Sequence, residues 1–502
     1  MNFDYTRLQG NNLSLAWLKL GITSLAFAGL YSVVLVVLRT PQLASFFPNP
    51  HIFKSALIIH VDLSVLIWLL SITASIWSLS FSQPSMSFPR KRESSIFFLD
   101  SRFRGNDIMH KLAFFATILI AISPIAGHNP VMNNYIPMLE NIIFVLGLSL
   151  FGITLLLYAI NILYFFNWAN WSNLVNFTIL STIIMYILSW VCFWCSYSNL
   201  QNVIQIIPIE IEFYYELLFW SGGHLLQFIY TQIAMFIWIM LFEKLLVKES
   251  KFQKFYLFLL YLNFVFSTLI IWGHISYDII DGSSKEFYTN HMKYLGGIAP
   301  GLCIGGIGLE WVCHSCKSGN SEKKIYWIPA SAGMTASIAK STLLCSITLF
   351  LLGGLIAINI SGINVVIPAH YHGSIVGINI ACMGYCYQSV IPRLDRGILE
   401  HNLRYKIPRL SRRITLITAR GMTITTTLYL LTFGQILHIL GLAFAGGYGV
   451  MRKDPNTVMP LSAKLLMGMM GGGGLIAIVG GLMFVYICGK TIFLKNKQNY
   501  DD

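Results

Sequence analysis

Residues 366–374 read Val366-Ile367-Pro368-Ala369-His370-Tyr371-His372-Gly373-Ser374, two histidines one residue apart at the head of an apolar run. Successive helix positions turn by about 100°, so positions 370 and 372 point about 200° apart. A helix carrying them can stand as a wall between two metal centres, with one imidazole on each side. Neutral imidazole is a common transition-metal ligand, and a membrane interior excludes polar side chains that have no task. The alternative is a pair of core histidines hydrogen-bonded to neighbouring carbonyls.

The surrounding chain is 55% hydrophobic and 11% charged over 502 residues, whereas a soluble domain carries about a quarter charged residues. It reads as a polytopic membrane protein. A spanning helix takes about 20 apolar residues. Twelve runs qualify, near 17–39, 53–82, 110–128, 139–167, 172–194, 213–246, 253–276, 288–312, 339–359, 365–390, 424–447 and 464–489. The expected fold class is all-α, with twelve transmembrane helices in a single membrane domain over 1–502. The first run is long and no small-residue cleavage site is obvious, so it reads as a span and not as a cleaved signal peptide.

A net charge of +13 would suggest nucleic acid in a soluble chain. Here the basic residues collect in the loops after even-numbered spans, and 129–138 has none. The positive-inside rule accounts for this pattern without nucleic acid. It places both termini on the cytoplasmic side of a bacterial inner membrane. Three segments within those loops, 83–109, 316–338 and 389–423, break the apolar pattern, and the last two share a Gly-Met-Thr ending. They resemble translated palindromic repeat elements of bacterial genomes, inserted in frame. They are expected to be disordered or weakly structured, since long surface insertions add little closure entropy. Contact with lipid headgroups is their alternative role. The nine cysteines are scattered, and Cys313-His314-Ser315-Cys316 has no second metal-like pair. They read as packing residues. Gly471–Gly474 belong to the last span, where small residues admit close helix approach.

Other histidine-centred stretches stand in order along the chain: Ile58-Ile59-His60-Val61-Asp62, Leu218-Phe219-Trp220-Ser221-Gly222-Gly223-His224, and Trp272-Gly273-His274. Further on come His438 with Leu440-Gly441-Leu442, then Met451-Arg452-Lys453-Asp454-Pro455. Together with His370 and His372, they make the chain resemble the catalytic subunit I of the haem-copper oxidase superfamily, over nearly its whole length outside the inserts. The resemblance implies two haems, with His60 and His372 as axial ligands of a low-spin haem. It implies His370 as the ligand of a high-spin haem whose opposite face binds a gas. His224 and His274 would hold a second metal, copper or non-haem iron, and these two with His370 make the expected catalytic centre. Arg452 and Lys453 would bind haem propionates through charge-assisted bonds. The expected activity is that of a terminal oxidase reducing O₂ to water. With no cupredoxin or cytochrome c domain in the chain, a second subunit of one of those types would deliver the electrons.

Three departures bear on the substrate. The family has two adjacent histidines where this chain has His274 and Ile275, and Tyr277, Asp278 or His291 would have to complete the ligand set. The family's active-site tyrosine falls at Phe228 in one alignment and at Thr268 in another, with Tyr230 a weak substitute. No helix-eight lysine stands inside the membrane; Lys293 lies near the outer mouth, which leaves Glu216 as the intramembrane carboxyl for proton movement. O₂ reduction takes four electrons and NO reduction only two, so the missing phenol also admits a nitric-oxide-reductase-like enzyme forming N₂O. A decayed, non-catalytic haem protein is a further alternative. A secondary transporter is disfavoured, because no internal repeat is visible.

Overall fold

Among the described residues of the computed structural model, eleven helices are long and apolar enough to cross a membrane. The structure describes residues 11–39, 49, 51–82, 94–246, 250–318, 330–362, 364–404, 410–450 and 460–493. In chain order the helices are α1 (Asn12–Arg39), α2 (His51–Val61), α3 (Ser94–Ile122), α4 (Ile142–Tyr164), α5 (Leu174–Ile204), α6 (Ile211–Leu246) and α7 (Gln253–Thr268). They continue as α8 (Ile271–Ser276), α9 (Gly282–Leu295), α10 (Ile298–Ser318), α11 (Ala330–Ala357), α12 (Val366–Arg404), α13 (Leu410–Gly447) and α14 (Leu461–Phe493). α2 runs on through a π-helical turn, Asp62–Ile67, into Trp68–Trp77. The all-α, multi-pass membrane architecture expected from the apolar runs is what the chain adopts.

The twelfth expected span is the exception by apolarity. α12 is a continuous helix of 39 residues but is not among the eleven. Its His370, His372, Ser374, Asn379 and Gln388 dilute the apolar character that marks the others. Helices also run into all three insert segments, since α3 starts at Ser94, α10 ends at Ser318, and α12 and α13 reach Arg404 and Leu410. The described parts of those segments are helical. Extending an existing helix adds one hydrogen bond per residue fixed and needs no new nucleus.

Local chemistry sets several helix starts. Asn11, Asn141, Asn173 and Asn364 accept bonds from backbone N–H groups at the heads of α1, α4, α5 and α12. Such caps serve donors that lipid would leave unsatisfied. Between α3 and α4 a two-residue antiparallel pair, β1 (Pro130–Val131) with β2 (Met138–Leu139), folds the connecting loop back on itself.

The chain divides into two compact units, one of Phe3–Phe236 with Lys254–Pro300, the other chiefly of Ile237–Gln253 with Gly301–Asp502. In the second unit α13 and α14 pack through glycines. A Cβ added at Gly434 would meet the Ala477 nitrogen at 2.4 Å, and one at Gly480 would meet Leu431 at 2.8 Å. Small residues of this kind let helix backbones approach closely in lipid. α11 and α12 meet the same way at Gly353 and Gly373.

Candidate haem-binding and catalytic site

The imidazoles expected to ligate haem share one arrangement. His60 Nδ1 lies 2.9 Å from the Ala28 carbonyl, His370 Nδ1 2.9 Å from that of Gly353, and His372 Nδ1 2.7 Å from that of Pro368. His224 Nδ1 is 2.6 Å from the Trp220 carbonyl, and His438 Nδ1 is 2.9 Å from that of Met470. A carbonyl oxygen only accepts, so each Nδ1 carries the hydrogen and each neutral ring keeps its lone pair on Nε2. Metal-ligating histidines use the second nitrogen in this way to fix tautomer and orientation. The two readings of the His370–His372 pair are therefore compatible, since bonding to carbonyls prepares each ring to ligate. The close approach of α11 and α12 at Gly353 and Gly373 brings the Gly353 carbonyl within reach of His370. His60, His224 and His274 belong to the first unit; His370, His372 and His438 belong to the second. In the second unit the rings of His372 and His438 lie 5.0 Å apart, with Tyr371 stacked on His372 at 4.8 Å. Arg452 and Lys453 lie outside the described residues.

His224 and His274 sit in one side-chain cluster. His224 is buried on α6, and the Tyr135 hydroxyl donates to its Nε2 at 2.8 Å. His274, on the short helix α8, places Nε2 2.9 Å from the Ser221 hydroxyl. Tyr288 lies against both, its ring 6.3 Å from His224 and 5.8 Å from His274. Neither tyrosine was indicated by the sequence. The residue before each histidine makes the room: a Cβ on Gly223 would meet Tyr135 Cγ at 2.5 Å, and one on Gly273 would meet Tyr288 Cζ at 2.5 Å. Asn133 shapes the loop that delivers Tyr135, accepting from the backbone N–H of Tyr135 and of Ile136. Burial, with the Glu216 carboxylate a lesser contributor, holds the Tyr135 phenol well above the usual tyrosine range.

The departures from the family pattern take concrete form. Ile275 is 72% exposed and faces away from the cluster. Asp278 is exposed as well and Thr268 is half-buried, whereas Phe228 is fully buried beside His291, ring centroids 5.2 Å apart. Glu216 is half-buried and forms an ion pair with Lys285 at 2.8 Å. Among the described residues the buried carboxyls are Asp62 and Glu310. Asp62, in the π-helical turn after His60, has no hydrogen-bond partner for either oxygen among the described residues. π-bulges of this kind collect at functional sites.

The tautomers of His60, His370 and His372 suit ligation of haem iron, since each commits its Nδ1 to a carbonyl and carries its lone pair on Nε2. His224 and His274 do not make a complete shell for a second metal. No group of three or more His, Cys, Asp or Glu could hold a metal ion among the described residues, and the Nε2 atoms of His224 and His274 are engaged by hydroxyls.

No family model matches the chain. It is 64% identical to a Rickettsia prowazekii protein described as uncharacterized protein RP382, over 96% of both chains. It is 25% identical to an uncharacterized protein of Aquifex aeolicus, over 74% of this chain and 83% of that one. Among solved structures it is similar to a haem-copper terminal oxidase determined as a dimer, with a TM-score of 0.65 and 13% identity, covering 96% of this chain and 84% of that one. At that identity the likeness establishes the fold.

Proposed function

We propose that this chain, which belongs to the same family as the Rickettsia protein RP382 and has the fold of a haem-copper terminal oxidase subunit, is the catalytic subunit of a respiratory oxidase that reduces O₂ to water. His60 and His372 would hold a low-spin haem, supplying one-electron transfer. His370 would hold a high-spin haem, supplying the iron at which gas is reduced. A cupredoxin-type or cytochrome c-type subunit would supply the electrons. The basic loops support a bacterial inner-membrane protein with both termini cytoplasmic.

The observation that carries O₂ over NO is the Tyr135 hydroxyl on His224 Nε2 at 2.8 Å. A phenol beside the reaction site is what four-electron reduction calls for, and the sequence lacked one at Phe228 and Thr268. The protein groups divide the work. The carbonyl bonds to Nδ1 hold each imidazole in one orientation, Tyr135 holds a proton at His224, and Tyr288 closes the space between His224 and His274. The apolar residues around Phe228 exclude bulk water. Copper or iron at His224 and His274 would belong to the family's pattern.

Nitric oxide reduction is the second reading, favoured by the outward position of Ile275 and the two-histidine set it leaves. Steady-state turnover of purified protein with a reduced donor, under each gas in turn, decides between them. Rapid O₂ consumption without N₂O supports the oxidase. N₂O formation with negligible O₂ consumption rejects it.

A further inference from the structure

Neither reading gives Ser221 a task, though its hydroxyl lies 2.9 Å from His274 Nε2. On its other side Ser221 faces Ser196, the two hydroxyl oxygens 3.4 Å apart. Both serines line a cavity of about 20 Å³, together with His274, Ser284, Tyr288 and Lys285. That is room for about one water molecule, which takes about two to four polar partners. The floor supplies them, since Ser196, Ser221 and Ser284 are buried and each carries a hydroxyl. All of these residues belong to the first unit.

The walls grade from buried to exposed. Beyond the serines, the half-buried Asn199 and Tyr277 and the exposed Lys285 complete the polar lining. In the proposed orientation the α5–α6 and α8–α9 connections lie outside, so the exposed end faces the outer aqueous phase. Lys285 lies across that end. Its ammonium pairs with Glu216 at 2.8 Å and sits 5.0 Å from the centroid of the Trp220 ring, another part of the wall. A partly exposed ion pair of this kind is weak and opens readily. Elsewhere around the two histidines the packing is apolar: Leu225, Phe228 and Ile270 are fully buried and offer water no hydrogen bond.

We propose that this cavity is the exit for product water, with the Lys285 side chain as its latch. Resting on the proposed function, the exit serves either gas, since O₂ reduction and NO reduction both release water. Neutral hydroxyls suit that cargo. A metal ion would call for carboxylates, thiolates or further imidazoles along the wall, and among the described residues His274 is the one such group lining it. O₂ and NO are apolar, dissolve in lipid and need no polar path. Water leaving the site passes from the Ser221 hydroxyl to those of Ser196 and Ser284, then outward when Lys285 swings away from Glu216.

The test uses the full-length, haem-loaded protein in sealed vesicles with its outer face outward, the wild type serving as control for the native cysteines. Asn199→Cys places a thiol at the exposed end, and a membrane-impermeant methanethiosulfonate is added outside. The expected result is labelling without permeabilisation and an unchanged haem spectrum. Turnover should fall about tenfold once the adduct fills the exit and product release limits the cycle. Turnover within about twofold of the unlabelled variant, which would leave product release unhindered, overturns the proposal. So does a thiol reached only after permeabilisation. Ser284→Cys, a near-isosteric change at the floor, reads the latch with neutral methyl methanethiosulfonate. Adding Lys285→Ala should speed that labelling about fivefold, as loss of a weak ion pair allows, and an equal rate with and without Lys285 overturns the latch. Wild-type protein that consumes neither gas ends the proposed function itself; an active protein whose labelled variant keeps its turnover ends only the exit.

Discussion

Substituting Gly223 by alanine drives a methyl group into Tyr135. The added Cβ would lie 2.5 Å from Tyr135 Cγ and 2.7 Å from its Cβ, and real Cβ atoms essentially never come within 3.0 Å. The near atoms belong to the root of the ring, so a tip rotation cannot relieve the clash. Overpacking of this kind costs about 1–3 kcal/mol. Moving the ring also breaks the bond to His224 Nε2 and leaves a buried acceptor unpaired, about 1–3 kcal/mol more. Alanine returns about 1 kcal/mol of helix propensity, for a net loss of about 1–5 kcal/mol. In a Tyr135→Gly background both penalties are already gone, and Gly223→Ala should be neutral or stabilising by about 1 kcal/mol. The cycle can be measured by reversible detergent unfolding in mixed micelles, followed by tryptophan fluorescence. Coupling of about 2 kcal/mol or more is expected, whereas additivity within about 0.5 kcal/mol would refute the packing of Tyr135 on α6.

His60→Ala and His372→Ala should each remove the same low-spin haem signal, read by low-temperature absorbance; loss of different signals would separate the two residues. Deleting 86–107 should leave the haem spectrum unchanged, and loss of both haems from a membrane-inserted product would show that this segment is needed. The Tyr135 phenol, raised by burial and by Glu216, stays protonated in the folded protein where an unfolded tyrosine ionises. Its contribution is complete below about pH 10 and is lost as the pH rises above that. Tyr135→Phe should therefore lose less stability than wild type between about pH 9 and about pH 11 in thermal melts, and identical alkaline slopes would contradict the buried phenol.

The fold was legible because lipid imposes a length and a composition on every span, and both stand in the sequence. α12 was legible for another reason: its spaced histidines carry the signal that its diluted apolarity loses. His60, His224, His274, His370 and His372 were singled out by their order along the chain. Tyr135 and Tyr288 could not, since they reach the cluster from a loop and from a helix whose packing no periodicity encodes. The available signal was Gly223 and Gly273, each directly before a histidine and each opening space for a ring. Glu216 stands in the sequence as an isolated carboxylate in an apolar run, because its partner Lys285 lies 69 residues away. Asp62, two residues past His60, was overshadowed by the histidine beside it.

The central claim is that the carbonyl-pinned imidazoles hold two haems of different kinds on this one chain. Reduced-minus-oxidised absorbance spectra of the purified protein, with and without CO, test it most directly. Two haems per chain are expected, one bis-histidine and indifferent to CO, the other shifted by CO and abolished by His370→Ala. A purified, folded protein with no haem absorbance, or with a single haem that survives loss of His370 and ignores CO, would contradict it.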